Sequence, residues 1–417
     1  LEIAMWLHRL RLTELALLGL VFLSIACGFA VISSSAVQLA LYAIAPFLAC
    51  WAFLCLLAPQ SNQLLLPIAA LICGLGLVNQ LQISLDYFSH QLLVTTIGAA
   101  TFAMVLALVR YRPSVTSYKY LFGTLALALF FLPAVVGITR GGARLWVAIG
   151  PIVFQPSEIA RVFFFVFLAR YFSEHQRLLS KAPVLKRRAF EIRYLGPAVV
   201  VALLTLLLLV YVKDLGFSLL ILVTFLLALY ATTEKKRYPA GGLAIFALGL
   251  VGAYRLYGHV RTRIDVWLDP WPDVYGRAYQ IVQGLFAYAE GGTIGRGLGN
   301  GFPSLLPAVN TDMVLPFFAE TTGFAGVAVL LTAYLAFALI ALSAARDASP
   351  YGRLLVIVAA GSMFAQTAIV SAGTLRLMPL TGLTMPFFSY GGSSLISSFA
   401  ILALIMFHTS EQKSWTV

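Results

Sequence analysis

The stretch ELALLGLVFLSIACGFAVISS (14–34) is followed two residues later by VQLALYAIAPFLACWAFLCLLA (37–58). Each block is long enough to cross a bilayer as a helix, which takes about 20 residues. A helix is the form required there, because hydrocarbon offers no partner to a free backbone N–H or C=O. Outward from this pair the pattern recurs at 64–84, 91–109, 119–138, 158–172, 195–212, 215–233, 240–257, 313–343, 352–372 and 393–408, about twelve spans in all. Composition agrees: of 417 residues 61% are hydrophobic and 11% charged, and mean hydropathy is +0.92. A soluble domain carries about a quarter charged residues. The chain therefore reads as an all-α polytopic membrane protein, with no soluble domain interrupting the spans. The opening LEIAMWLHRLRLTE (1–14) is a short, basic, amphipathic lead-in rather than a cleavable signal.

The net charge of +12 is better explained by orientation than by nucleic acid, since basic loops mark the cytoplasmic side. Arg9 and Arg11 precede the first span. With a cytoplasmic N-terminus, the even-numbered loops hold Arg110, Arg112, Lys119, the cluster from Lys181 to Arg193, Lys235, Lys236, Arg237, Arg346 and Arg353. An even span count places the C-terminus on the same side. Cys27, Cys50, Cys55 and Cys73 lie in apolar segments without metal-ligand spacing and read as small core residues.

Three connections on the opposite face are rich in Gly, Pro, aromatics and isolated charges: TRGGARLWVAIGPIVFQPSE (139–158), the long loop 258–312, and GTLRLMPLTGLTMPFFSYGGSS (373–394). Two of them are apolar enough to dip into the bilayer plane as irregular backbone, which only protein or water cover permits. GGTIGRGLGNG (291–301) lacks the GK[ST] ending of a nucleotide loop and reads as a tight turn.

Acids stand out on this face: Glu158 at the start of the sixth span, Asp214 between the seventh and eighth, and Asp269 and Asp273 in the long loop. A carboxylate near membrane depth has a partner or a function. Glu158 and Arg161 stand at the helical i,i+3 spacing of an ion pair, and Asp214 has Lys213 beside it. Asp273, between Pro272 and Gly276, suits a turn as well as a reaction. Arg140, Arg144, Arg255, Arg261, Arg263, Arg277, Arg296 and Arg376 collect here too. Arginine suits bidentate phosphate recognition, and snorkelling to headgroups is the alternative.

The ordered set GGARLW (141–146), FQPSEIAR (154–161), KDLG (213–216), WLDPWPDVYGRAYQ (267–280), GGTIGRGLGNG, LPAVNTD (306–312), AETTGFAG (319–326) and PLTGLTMPFFSYGGSS (379–394) resembles the RodA/FtsW/SpoVE (SEDS) family, on its RodA-like side. The likeness runs from about the third span to the end of the chain. It implies a ten-helix core at 61–417, with loop 258–312 outside the cell and residues 1–60 as two added helices. It also implies an activity: polymerisation of lipid II into glycan strands at the outer face of the bacterial cytoplasmic membrane. The implied partners are lipid II, membrane lipids and a class B penicillin-binding protein.

By the same resemblance Asp273 is the expected catalytic base. Glu158, Arg161, Asp214, Arg140, Arg144, Arg261, Arg263, Gln280, Asp312 and Ser393 are the expected substrate contacts, and Mg2+ or Mn2+ is an expected cofactor. Arg161 stands where the family usually has lysine, Ala308 and Asn310 where it has glutamate and histidine, and Thr321 replaces an acid. A precursor flippase with the same cavity, and a scaffold that recruits a transpeptidase, are the other two readings. Acids gathered at the outer ends of the spans favour chemistry over transport.

Overall fold

The computed structural model describes residues 11–140, 143–180 and 187–410. The side chains of Arg140, Ser180, residues 187–193 and His259 also lie outside the description. Its helices are α1 (Leu12–Ile32), α2 (Ala36–Leu57), α3 (Leu65–Ile83), α4 (Leu85–Tyr111), α5 (Lys119–Val136), α6 (Pro156–Ser180), α7 (Arg187–Tyr211), α8 (Leu215–Thr233), α9 (Arg237–Leu256), α10 (Gly258–Leu268), α11 (Tyr279–Gly291), α12 (Val314–Ala344), α13 (Pro350–Thr374) and α14 (Gly392–His408). Ten of the described helices are long and apolar enough to cross a membrane. The other two expected spans are α6, which carries charges at both ends, and the 17-residue α14. Both lie inside the bundle: α14 is buried nearly throughout, against α4 and α6, and α6 packs on α5 and α13. The polytopic all-α architecture is thus the one the apolar blocks require.

Local signals set several boundaries. Ser84 accepts a hydrogen bond from the Asp86 N–H and starts α4, six residues before the apolar block that marks it in the sequence. Pro156 and Pro350 occupy first helical positions, where a missing N–H is harmless. The long loop 258–312 is mostly structured: it holds α10, a 3-10 turn at Trp271–Asp273, α11 and a glycine-rich turn.

The connections segregate by side. The Arg11 guanidinium donates to the Ser61 carbonyl (2.9 Å) and hydroxyl (2.8 Å) and pairs with Glu14, all buried. Lys119 pairs with Glu174, and the Lys235 ammonium donates to the Leu179 carbonyl (3.2 Å). These contacts gather the even-numbered connections at one end. At the other end Gln80 donates to the Asn310 carbonyl (3.2 Å) and Gln82 accepts from the Gly299 N–H (2.9 Å). The Lys181–Arg193 cluster lies outside the described side chains. Cys50 and Cys73 are buried and Cys55 half-buried, but Cys27 is exposed on α1, so it is not the core residue expected.

The connection 139–158 is also not the irregular backbone expected. Strands β1 (Ile138–Arg140), β2 (Ala143–Ile149) and β3 (Ile152–Phe154) form an antiparallel sheet in the order β1-β2-β3. Strand pairing satisfies its backbone groups, the requirement that irregular chain would have left to its neighbours. The other apolar connection, 375–391, is irregular and threads into the bundle. Its carbonyls find donors on three helices: Gln91 of α4 for Ser389 (3.1 Å), Gln366 of α13 for Thr384 (2.7 Å), and Tyr334 of α12 for Pro386. Gly76 and Gly216 let it approach; a Cβ there would stand 2.6 Å from the Phe388 oxygen and 2.5 Å from that of Thr381.

Candidate functional site

The buried part of the site begins at the first turn of α6. Glu158 is 3% exposed and Arg161 1%. Arg161 Nε lies 3.0 Å from Glu158 Oε2, an ion pair by distance that lacks the angle of a hydrogen bond. The guanidinium also donates to Gln366 Oε1 of α13 and to Ser397 Oγ of α14 (2.8 Å), while Ser397 Oγ donates to Glu158 Oε2 (3.1 Å). Three helices are stitched together by one compensated charge pair, as a low dielectric demands. Gln366 and Ser397 were not among the expected residues. An isolated glutamine in the apolar run of α13 was the signal that marked it.

Asp214 sits nearby, capping α8 by accepting the Phe217 N–H (3.0 Å). It does not pair with Lys213. Burial pushes its carboxyl up to about 6; the Phe217 N–H and the Arg263 charge pull it down, and the Glu158 charge pushes it up. Asp214 is thus within electrostatic reach of Glu158 and Arg263 without bonding to either.

Arg263, on α10, lines a pocket of about 140 Å³ at the end of the bundle that carries the 258–312 segment. Arg277, Arg376, Gln280, Asp312 and Thr262 share its polar lining. Arg263 donates to the carbonyls of Leu380 (3.4 Å) and Thr381 (3.3 Å). Arg376, held at φ 59°, donates to those of Trp267 (2.8 Å) and Leu268 (2.6 Å). Burial raises the Asp312 carboxyl above its ordinary range, against the Thr311 hydroxyl and the Arg263 charge. Three arginines around one small pocket make an anion site.

Asp273 is not among the residues lining the pocket; it ends the 3-10 turn that follows Pro270 and meets the pocket through Arg277. Its Oδ2 accepts from Arg277 Nε (2.9 Å) and from the Arg277 backbone N–H (3.2 Å). That Arg277 contact, side chain first, holds the carboxyl below the ordinary carboxylate range. Gly276 leaves room for this fold-back, since a Cβ there would stand 2.1 Å from Asp273 Oδ1. Asp273 therefore serves the turn as well as facing the pocket arginine. Asp269 accepts the Trp271 N–H (3.3 Å), a turn role alone.

The remaining expected residues are placed elsewhere. Arg144 donates to the carbonyls of Gly137 (2.7 Å) and Ala134 (3.2 Å), closing the end of α5. Arg261 lies over the Tyr254 ring and donates to the Arg255 carbonyl (3.4 Å). Neither lines the pocket. Ser393 accepts the Gln155 N–H (2.9 Å) and anchors the start of α6 beside the Glu158 cluster. Arg140 lies outside the described side chains.

Two further cavities adjoin the pocket on its apolar side. A cleft of about 70 Å³ shares Arg263, Met378 and Leu380 with it. That cleft shares Leu215, Phe246 and Leu250 with an apolar groove of about 540 Å³ between α7, α8 and α9. No residue of α9 is buried, so the groove has a thin wall on that side. A cationic pocket joined to an apolar groove fits a molecule with an anionic head and a long hydrocarbon tail.

The model of a family described as Cell cycle protein, covering FtsW, RodA and SpoVE, matches residues 63–414. The peptidoglycan glycosyltransferase RodA of Mycobacterium tuberculosis (strain ATCC 25618 / H37Rv) is 34% identical over 366 residues, 84% of this chain and 78% of that protein. The probable peptidoglycan glycosyltransferase FtsW of Tolumonas auensis is 33% identical over 339 residues, 77% of this chain and 82% of that protein. Among solved structures, a chain from a study of a peptidoglycan synthase complex that coordinates polymerization and crosslinking superposes with TM-score 0.68 at 26% identity, over 85% of this chain and 99% of that one. The rod shape determining protein RodA of Thermus thermophilus superposes with TM-score 0.60 at 25% identity, over 85% and 98%.

Proposed function

The chain belongs to the FtsW/RodA/SpoVE family of peptidoglycan glycosyltransferases, and from that premise we propose that its outer-face pocket joins lipid II units into glycan strands. The observation that carries the proposal is the continuity from Asp273, through Arg277 and the arginine pocket, to the apolar groove. A lipid II donor would lay its polyprenyl tail in the groove and its pyrophosphate among Arg263, Arg277 and Arg376. Asp273 takes the proton from an acceptor sugar hydroxyl as that oxygen attacks the donor anomeric carbon. The new carbon–oxygen bond forms on the face opposite the one that breaks, and the electron pair leaves with the polyprenyl pyrophosphate. The arginines meet the charge that develops on the leaving group.

The expected Mg2+ or Mn2+ finds no ready donor set: among the described residues no three His, Cys, Asp or Glu side chains gather, and Asp312 is the single carboxylate in a pocket that three arginines also line. Charge neutralisation falls to the arginines. Glu158, Arg161 and Asp214 line none of the three cavities; the Glu158–Arg161 pair ties α6, α13 and α14 together, and Asp214 caps α8. The two helices α1 and α2 precede the matched region and form an addition to the family core. The orientation that follows from charge is cytoplasmic termini in the bacterial inner membrane. A class B penicillin-binding protein is the partner that would crosslink the product.

The test is purified protein with lipid II, analysed for glycan polymer. Asp273→Asn should lower polymerisation by about a hundredfold to ten-thousandfold, the usual cost of losing a general base. Asp269→Asn should be milder. Near-wild-type polymer from Asp273→Asn would sink the mechanism and favour a flippase.

A further inference from the structure

We infer that Arg277 is a donor-triggered release for the base: the lipid-linked pyrophosphate draws its guanidinium off Asp273, so the carboxylate is freed only when the donor is loaded. The inference rests on the glycosyltransferase reading and adds to it how the two substrates are ordered.

The geometry separates Arg277 from the other pocket arginines. Arg263 and Arg376 are tied to backbone carbonyls, which stay put when a ligand arrives. The side chain of Arg277 is tied to Asp273 alone among the described residues. Its side chain is 68% exposed and that of Asp273 41%. An ion pair this open is weak and readily exchanged. A pyrophosphate offers the same fork more charge and more acceptor oxygens than one carboxylate, and Arg277 already lines the pocket where the pyrophosphate would lie.

While the pair is closed, Arg277 occupies an oxygen that would take the acceptor proton and lowers its basicity. Opening it removes the guanidinium and restores much of the basicity, while the Arg277 backbone N–H still holds Oδ2 in place. An acceptor arriving first would meet a weakened base, and one arriving after the donor a stronger one.

Calorimetric titration with inorganic pyrophosphate tests the exchange on the full chain in detergent, independently of turnover. Arg277→Ala should weaken binding about ten- to a hundredfold, the loss of a charged contact. Arg277→Lys, which keeps the charge but not the fork, should fall between. Asp273→Asn should tighten binding about two- to fivefold, the worth of an exposed ion pair no longer competing. In the Arg277→Ala background that gain should vanish. An equal gain in both backgrounds would mean simple charge repulsion and would overturn the proposal, as would wild-type affinity in Arg277→Ala. Wild-type protein that binds pyrophosphate but makes no polymer would instead count against the glycosyltransferase reading.

Discussion

Replacing Asp214 with asparagine should stabilise this protein at neutral pH and leave it nearly unchanged in acid. The side chain is 7% exposed and caps α8 through the Phe217 N–H. Asparagine caps a helix as well as aspartate does, so the substitution removes the charge and little else. Burial lifts the carboxyl from an ordinary 3.8 to about 6. Holding it ionised therefore costs about 3 kcal/mol, at roughly 1.4 kcal/mol per pH unit. The folded value is raised, so the folded state binds the proton more tightly than the unfolded chain. The penalty is absent below the ordinary value, grows as pH rises toward about 6, and is complete above it. Thermal unfolding of wild type and Asp214→Asn in detergent at pH 4 and pH 7.5 measures this directly. The gap should be small at pH 4, about 0.5 kcal/mol, and several times larger at pH 7.5, with the variant higher. Lipid II polymerisation by the variant should fall, because the charge acts on Arg263, which lines the pocket; an acid kept at a stability cost is typical of a working site. Curves that keep the same separation at both pH values would refute the reasoning.

Glu158→Gln should destabilise the fold by about 3–5 kcal/mol by leaving Arg161 charged and uncompensated in the bundle, read by the same unfolding assay. Gly276→Ala should displace the Asp273 carboxylate, whose Oδ1 lies 2.1 Å from the added carbon, and cut polymerisation at least tenfold with little loss of melting temperature. Gly249 faces open space in the groove, so Gly249→Trp should raise the KM for lipid II by filling the path of the tail, without unfolding the protein. Impermeant thiol reagents applied to intact cells should label Tyr275→Cys, which is 95% exposed on the pocket side, and miss Tyr118→Cys on the opposite end.

The spans were legible because lipid leaves a long apolar block no other structure to adopt. Their ends were less so: α4 begins at Ser84 because a cap, not hydropathy, starts it. The sheet at 138–154 was missed because its apolar residues carry no signal that separates paired strands from a re-entrant loop. In the site, the i,i+3 spacing of Glu158 and Arg161 disclosed their pairing, while the Gln366 and Ser397 that complete it lie more than 200 positions away in the chain. Arg263 and Arg376 look alike in the sequence to Arg144 and Arg261. Only tertiary placement separates the two that line the pocket from the two spent on helix ends and aromatic rings.

The threaded segment 375–391 also has a consequence in time. Its carbonyls are answered by Gln91, Tyr334 and Gln366, which belong to three different helices. Each of those groups, left bare in hydrocarbon, costs several kcal/mol. The segment therefore waits at the membrane surface until α4, α12 and α13 have come together, and its entry is a late step of biogenesis. Nascent chains stalled before Gln366 should leave the ends of α3 and α8 nearest this segment open to protease, with Gly76 and Gly216 lining an unfilled slot, and release of the last helices should close it.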